Sequence, residues 1–342
     1  MEDSLKNLSV LFRDTLFRIP DYQRGYAWEK KQIEDFWNDL NNIDNNKLND
    51  HYAGVITTQL IPKDDLKKDK WNNDRWLIDK KRYNPIYLVD GQQRITTAIL
   101  LISAIVKVIE EKFPSKKEIN FTSIDNIKER FLYEKKSTSD IYSCIFGYES
   151  TDTSYNFYCE EILNIPNFGK TNIRTKYTEN IKDAFSFFET KLKKLSFEQI
   201  EDLYMILTNN LVFNLYQISD KLDVFVTFET MNNRGKMLSN LELLKNRFIY
   251  LTTLAPIDVE DITQHLSARD IINDSWKTIY SYLGKNEKRM LEDQEFLFAH
   301  CLVYKSNSNE FIDQSLSSRN RWDFYNASIL LDTIFTSSNF AQ

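Results

Sequence analysis

Cysteine and histidine are scarce in this sequence of 342 residues, and their spacing excludes several kinds of protein. The three cysteines show no CxxC spacing, which argues against a disulfide framework and indicates a reducing cytoplasm. The three histidines form no HxxxH or Cys–His arrangement, so these patterns offer no zinc site and no histidine-based metal nuclease. The residues are Cys144, Cys159, Cys301, His51, His265 and His300.

Turn residues and long apolar runs are scarce as well. With 7 glycines and 6 prolines, the composition favours a helix-rich fold over a sheet protein. No apolar stretch reaches the length of a membrane span, and the first ten residues lack the order of a signal peptide. A net charge of −6 argues against a chain coated for nucleic acid, but it allows a local basic face. We therefore expect a cytoplasmic protein without a membrane partner.

Hydrophobic periodicity predicts a helix-rich α+β fold with a small mixed sheet. Runs rich in β-branched residues predict strands at 51–61, 84–90 and 211–219. Apolar spacing predicts a helix over 29–43 and a buried helix marked by residues Ile95, Ala98, Ile99, Ile102, Val106 and Ile109.

The remaining segments suggest how the chain is organised. Residues 62–82 hold thirteen charged residues, and we expect a solvated loop or hairpin there. We expect a helical insertion at about 115–210 within a first domain spanning 1–250, and a helical C-terminal region at 251–342. Ser239 and Glu242 have the spacing of a capping box, which predicts a helix start.

The stretch "YLVDGQQRITTAILLI" (87–102) places polar residues where a strand passes into a helix. The free N–H groups of such a junction and the helix dipole attract anions. Arg94 can add a bidentate contact to phosphate, and Gln92 and Gln93 can bind a phosphate, a water or a base edge. Asp90 can hold Mg²⁺, orient a water or cap the helix. The alternative is a plain capped junction in which Arg94 pairs with a surface carboxylate.

A second polar and aromatic stretch is "IPDYQRGYAW" (19–28), here called the aromatic segment. Its members Tyr22, Gln23, Arg24 and Trp28 combine aromatic faces with a guanidinium and an amide, the groups that nucleotide sites use. The alternative is that the aromatic rings pack on the following helix and that Arg24 covers them.

The third such stretch is "TMNNRGKMLS" (230–239). It contains Asn232, Arg234 and Gly235. Taken by itself, it is typical of a polar connection between two helices.

In this order, "IPDYQRGYAW", "GVITTQ", "VDGQQRITTAILL" and "FETMNNRGKMLSNLELLKN" resemble the N-terminal domain family of GmrS-like, modification-dependent (type IV) restriction enzymes. That family is similar in fold to ParB and sulfiredoxin. The resemblance implies a nucleoside triphosphatase with Mg²⁺ that senses modified phage DNA in anti-phage defence. It implies catalytic roles for Asp90, Gln92, Gln93 and Arg94 and a metal contact for Asp90. It also implies nucleotide contacts for residues Gly91, Tyr22, Gln23, Arg24, Trp28, Asn232, Arg234 and Gly235.

The sequence departs from many relatives in one respect, because it shows no HNH-like motif of a C-terminal nuclease. Either a nuclease segment is missing from this chain, or it resides on another chain, or the protein works without one. A homo-oligomer is compatible with the sequence. The alternative function is a module that binds modified DNA or a partner and uses nucleotide only as a structural ligand.

Overall fold

The chain divides into two compact units, each described here by itself. The first unit comprises Met1–Asp21, Gly25–Asn172 and Tyr177–Val224, and the second comprises Tyr22–Arg24, Ile173–Lys176 and Phe225–Gln342. The computed structural model describes residues 5–43, 50–137, 139–150, 152–166, 174–218, 238–254, 262–285, 290–297 and 299–300.

The first unit is built on a six-stranded mixed sheet with strand order β1-β10-β3-β4-β2-β9. Two small hairpins, β5–β6 and β7–β8, lie outside it. The strands are β1 (Leu5–Asn7), β2 (Thr15–Ile19), β3 (His51–Leu60), β4 (Asn84–Asp90), β5 (Glu118–Ile119), β6 (Thr122–Ser123), β7 (Tyr133–Lys135), β8 (Tyr142–Cys144), β9 (Phe146–Tyr148) and β10 (Leu211–Gln217).

Strand direction brings three strand ends to one edge of the sheet. Strands β4, β2 and β9 run parallel to one another, whereas β3 runs antiparallel to β4. The carboxyl ends of the three parallel strands, at Ile19, Asp90 and Tyr148, therefore lie at the same edge. Ligands of open α/β sheets bind at such edges.

Helices account for most of the other regular structure. They are α1 (Leu8–Leu11), α2 (Lys30–Asn42), α3 (Arg75–Lys80), α4 (Gln92–Lys112), α5 (Ile124–Ile127), α6 (Thr153–Phe157), α7 (Lys176–Leu192), α8 (Phe197–Met205), α9 (Asn240–Leu254) and α10 (Ile262–Leu283). The predicted helix-rich α+β class with a mixed sheet is confirmed. Its likeness to ParB and sulfiredoxin stays a prediction. Among the described residues, no helix combines the length and apolarity that a membrane span requires.

Helix α4 is the central element of the first unit. It follows β4 after a single residue, and its apolar side chains are buried on all sides, as the sequence predicts. Fully burying one such side chain contributes about 1.5–3 kcal/mol. The packing of α4 thus fixes the position of its first turn.

Most charged residues of the stretch 62–82 are exposed, as its composition predicts, but the stretch is not a loop or hairpin. It forms two 3₁₀ turns and α3, and it buries Trp71 and Leu77. A few of its charged side chains are paired with distant residues: Asp74 forms a buried ion pair of 2.7 Å with Arg18, and Lys81 pairs with Glu134. Charge count alone does not reveal such pairs, because a buried side chain that is paired looks the same in sequence as a solvated one.

The region 115–210 holds α5 to α8, but it also contains strands that its pattern did not predict. Strand β9 even joins the main sheet beside β2. Strands of two or three residues are too short to show an alternating pattern.

The second unit has a small core of its own, formed by Leu241, Leu244, Trp276, Leu283 and Leu297. Helix α9 begins with the predicted capping box. The Ser239 N–H donates to Glu242 Oε2 at 2.7 Å, and the Glu242 N–H donates to Ser239 Oγ at 3.2 Å. The predicted division near residue 250 remains a prediction.

Candidate functional site

The junction between β4 and α4 comprises residues 90–94. Within it, Gly91 has a left-handed backbone that only glycine adopts readily, with a φ of +87°, and it directly precedes the first residue of α4. A Cβ there would lie 3.2 Å from Cγ1 of Ile56 and 3.3 Å from the carbonyl oxygen of Val55. Gly91 has no side chain with which to cap the helix. The first-turn N–H groups of α4 thus receive no side-chain cap from the residue before the helix, an arrangement that can accommodate an anion.

Arg94 lies across β3 instead of pairing with a carboxylate. Its Nη1 donates to the carbonyl oxygen of Ala53 at 2.7 Å. Gly54 has a φ of +107°, and a Cβ there would overlap Nη1 of Arg94, so this glycine makes room for the guanidinium. Within the described part of the chain, Arg94 forms no ion pair, so the surface pair considered above is not present. The half-buried guanidinium keeps further donors for an incoming anion.

The two adjacent glutamines differ sharply in their surroundings. Both are buried, at 6% exposed for Gln92 and 8% for Gln93. Both polar atoms of the Gln93 amide are bonded: Oε1 accepts from the Ala27 N–H at 2.7 Å, and Nε2 donates to the Gly25 carbonyl at 3.1 Å. The Gln92 Oε1 is buried without a hydrogen-bond partner in the described structure. Such a buried acceptor is costly unless a ligand or water donates to it.

Part of the aromatic segment lies against the start of α4. Tyr26 is fully buried, and its hydroxyl lies 2.8 Å from Thr97 Oγ1. Burial raises the pKa of Tyr26, so it stays protonated as a donor. Trp28 is half-buried, and its ring centroid lies 6.2 Å from that of Phe36 on α2. For Trp28, packing on the following helix is therefore the observed arrangement. Nothing in the sequence pattern indicated this contact of Thr97.

Three residues of the aromatic segment, Tyr22, Gln23 and Arg24, belong to the second unit. Tyr22 and Gln23 are buried and Arg24 is half-buried. The junction belongs to the first unit, so the prediction that these three residues line the same pocket stays a prediction. Asn232, Arg234 and Gly235 lie outside the described residues.

Asp90 offers one carboxylate at the junction and is half-buried. Among the described residues, no three acidic, histidine or cysteine side chains cluster as a metal site. Mg²⁺ in nucleotide sites is commonly held by one or two carboxylates together with phosphate oxygens and water. Asp90 alone therefore fits the mode in which the nucleotide completes the coordination.

A second carboxylate at this sheet edge is already engaged. Glu149 follows β9, and its Oε1 accepts from Lys70 Nζ and from the Tyr87 hydroxyl, each at 2.7 Å. Burial, reinforced by the charge of Asp21, raises the pKa of Glu149. The sequence did not single out this cluster, because its members are far apart along the chain.

Comparison with known proteins places the chain in a family. No curated protein matches it at a significant level. The model of the GmrSD restriction endonuclease N-terminal domain matches residues 6–249, which include the junction and the start of α9. The match covers well over half of the chain and confirms the resemblance seen in the sequence. The chain therefore belongs to the family of GmrSD restriction endonuclease N-terminal domains and, with it, to a restriction system.

Proposed function

We propose that this chain binds and hydrolyses a nucleoside triphosphate at the junction of β4 and α4. The observation that carries the proposal is the unpartnered, buried Oε1 of Gln92 beside the uncapped, left-handed Gly91. Buried acceptors are usually paired with a protein donor or an ordered water, and a ligand that donates to the Gln92 oxygen would satisfy it.

The first-turn N–H groups of α4 would bind a phosphate, and the free guanidinium donors of Arg94 would add a charge-assisted contact. Gln92 would accept from a ribose hydroxyl, a base N–H or the attacking water. Asp90 would hold Mg²⁺, which would supply charge neutralisation at the phosphates.

Hydrolysis at such a site would depend on positioning and charge stabilisation. Of the two glutamines, Gln92 is the one whose carbonyl is available to orient a water. The Gln93 amide is already engaged by backbone groups.

The test is titration of the full chain with each of the four ribonucleoside triphosphates and Mg²⁺ by calorimetry. Arg94→Ala should weaken binding by about 1.5–3 kcal/mol, the range for a hydrogen bond to a charged group. The matched control is Arg75→Ala, because Arg75 is also half-buried and donates to backbone carbonyls, at Lys67 and Lys68. Equal affinities for folded wild type and Arg94→Ala would refute the site.

The second candidate is a binding module that keeps nucleotide as a structural ligand. The engaged Gln93 favours it, because one fewer side chain is available for catalysis. Phosphate release, measured with and without DNA that carries modified bases, separates the two candidates. Release above background supports hydrolysis, and tight binding without release supports the structural ligand.

For the whole system we propose a sensor in anti-phage defence that responds to modified phage DNA and acts with a nuclease domain or subunit. Family membership supports this role. We also propose a cytoplasmic location, and gel filtration coupled to light scattering would establish whether the chain forms a homo-oligomer.

A further inference from the structure

Gln93 clamps a short piece of extended chain against α4. Its Oε1 and Nε2 bond to the N–H of Ala27 and the carbonyl of Gly25, as a neighbouring strand would. One amide side chain thus replaces a backbone partner for residues 25–27. Each bond lies in a buried environment, where losing it is costly.

Tyr26, between the two clamped residues, strengthens the attachment. The Thr97 hydroxyl donates to the backbone carbonyl of Gln93 at 2.8 Å. Because Thr97 has only one hydroxyl hydrogen, Tyr26 is the donor in the contact between Tyr26 and Thr97. The Tyr26 carbonyl also accepts from Asn180 Nδ2 at 3.0 Å. Residues 25–27 are therefore fixed to α4 and to α7 together.

The clamped piece is where the chain returns to the first unit. Tyr22–Arg24 belong to the second unit, and the chain re-enters the first at Gly25. It re-enters a second time at Tyr177, after Ile173–Lys176. Gly25 packs directly on the Tyr177 ring, since a Cβ on Gly25 would overlap Cγ of that ring. The two return points thus touch each other inside the first unit, and Gln93 holds one of them.

We propose that Gln93 is a positioning residue that couples the nucleotide junction to these return points, and that it makes no contact with nucleotide. The inference rests on the proposed function. Gln93 is the second residue of α4, and its neighbours Gln92 and Arg94 are the residues proposed to bind the ligand. A ligand bound at the first turn of α4 stabilises that turn and, through the two Gln93 bonds, also stabilises residues 25–27 and the Tyr177 contact. The chain segments that enter the second unit then respond to nucleotide.

The test is hydrogen–deuterium exchange on the full chain, followed in peptides covering 19–28 and 174–182. Gln93→Met removes both bonds at similar side-chain volume. Tyr26→Phe is the matched control, because it removes only the contact with Thr97. Circular dichroism confirms that each variant is folded, and Gln93→Glu, which keeps the acceptor and loses the donor, provides a second variant.

Without nucleotide, Gln93→Met should speed exchange at Ala27 by about tenfold, the effect of one lost hydrogen bond. With a saturating ribonucleoside triphosphate and Mg²⁺, wild type and Tyr26→Phe should gain protection in both peptides. Gln93→Met should lose that gain while its nucleotide affinity stays within about threefold of wild type, far less than the change expected for Arg94→Ala.

Unchanged exchange at Ala27 in nucleotide-free Gln93→Met would overturn the clamp. A nucleotide-dependent gain that persists in Gln93→Met would overturn the coupling, and a fall in affinity as large as that of Arg94→Ala would make Gln93 a ligand contact. If wild type binds no nucleotide, the proposed function fails and the coupling fails with it, whereas the nucleotide-free comparison still decides the clamp.

Discussion

Replacing Gly54 by alanine tests how Arg94 is held at the junction. Gly54 has a φ of +107°, and a Cβ there would overlap Nη1 of Arg94. Because Nη1 ends a flexible side chain, the guanidinium can move aside. It then loses its 2.7 Å bond to the Ala53 carbonyl, which holds the guanidinium in place.

Two terms set the expected loss of unfolding free energy. Alanine in the left-handed region costs about 1–2 kcal/mol. The lost bond adds about 1.5 kcal/mol, the lower end of the range for charged donors, because the half-buried guanidinium of Arg94 can be hydrated once it is displaced. We therefore expect Gly54→Ala to destabilise the first unit by about 3 kcal/mol in denaturant titrations.

Gly147→Ala is the matched control. Gly147 also lies in the main sheet, but its φ is not left-handed, and a Cβ there would lie 3.3 Å from Cδ2 of Tyr155. Gly147→Ala should therefore lower the free energy of unfolding clearly less than Gly54→Ala does. A double-mutant cycle isolates the contact: with Arg94→Ala already present, Gly54→Ala should cost only the backbone term. If Gly54→Ala costs no more than Gly147→Ala, or the same in both backgrounds, glycine does not make room for Arg94 and the argument fails.

Two further predictions concern buried charged residues of the first unit. Asp74→Asn leaves Arg18 buried without its ion pair and should lower the free energy of unfolding in urea by about 3–5 kcal/mol. Replacing Arg18 and Asp74 together by Met and Leu should lower it much less, and equal losses would contradict this prediction. Because the pKa of Glu149 is raised in the folded state, its contribution to stability is fully present below about pH 4.3 and is lost as pH rises through the folded pKa. Wild type should therefore lose unfolding free energy relative to Glu149→Gln between pH 4.5 and 8, and a difference that does not change with pH would rule this out.

Hydrophobic periodicity predicted the long elements that have one apolar face or are apolar on all sides. Strand β4 matches the predicted 84–90, and α2 and α4 lie where apolar spacing placed them. These elements carry a signal because burial selects apolar residues at every turn or at every second residue. The sequence also predicted that the strand passes into the helix at this point, whereas the left-handed backbone of Gly91 is a finding of the structure.

Charged and short elements could not be predicted in the same way. The stretch 62–82 is rich in lysine and aspartate, yet Lys70 and Asp74 pair with Glu149 and Arg18, which lie far away along the chain. The partners of an ion pair that are distant along the chain cannot be matched from the sequence alone, because only the fold brings them together.

The two glutamines of the junction show the same limit at the level of function. Gln92 and Gln93 are identical in chemistry and adjacent in sequence, so a motif assigns them one role. On a helix, successive side chains point about 100° apart. One therefore faces the backbone of residues 25–27, where both of its polar atoms are bonded, and the other keeps a buried oxygen without a partner. Within one motif, Gln93 therefore holds residues 25–27, whereas the Gln92 oxygen makes no hydrogen bond to the described residues.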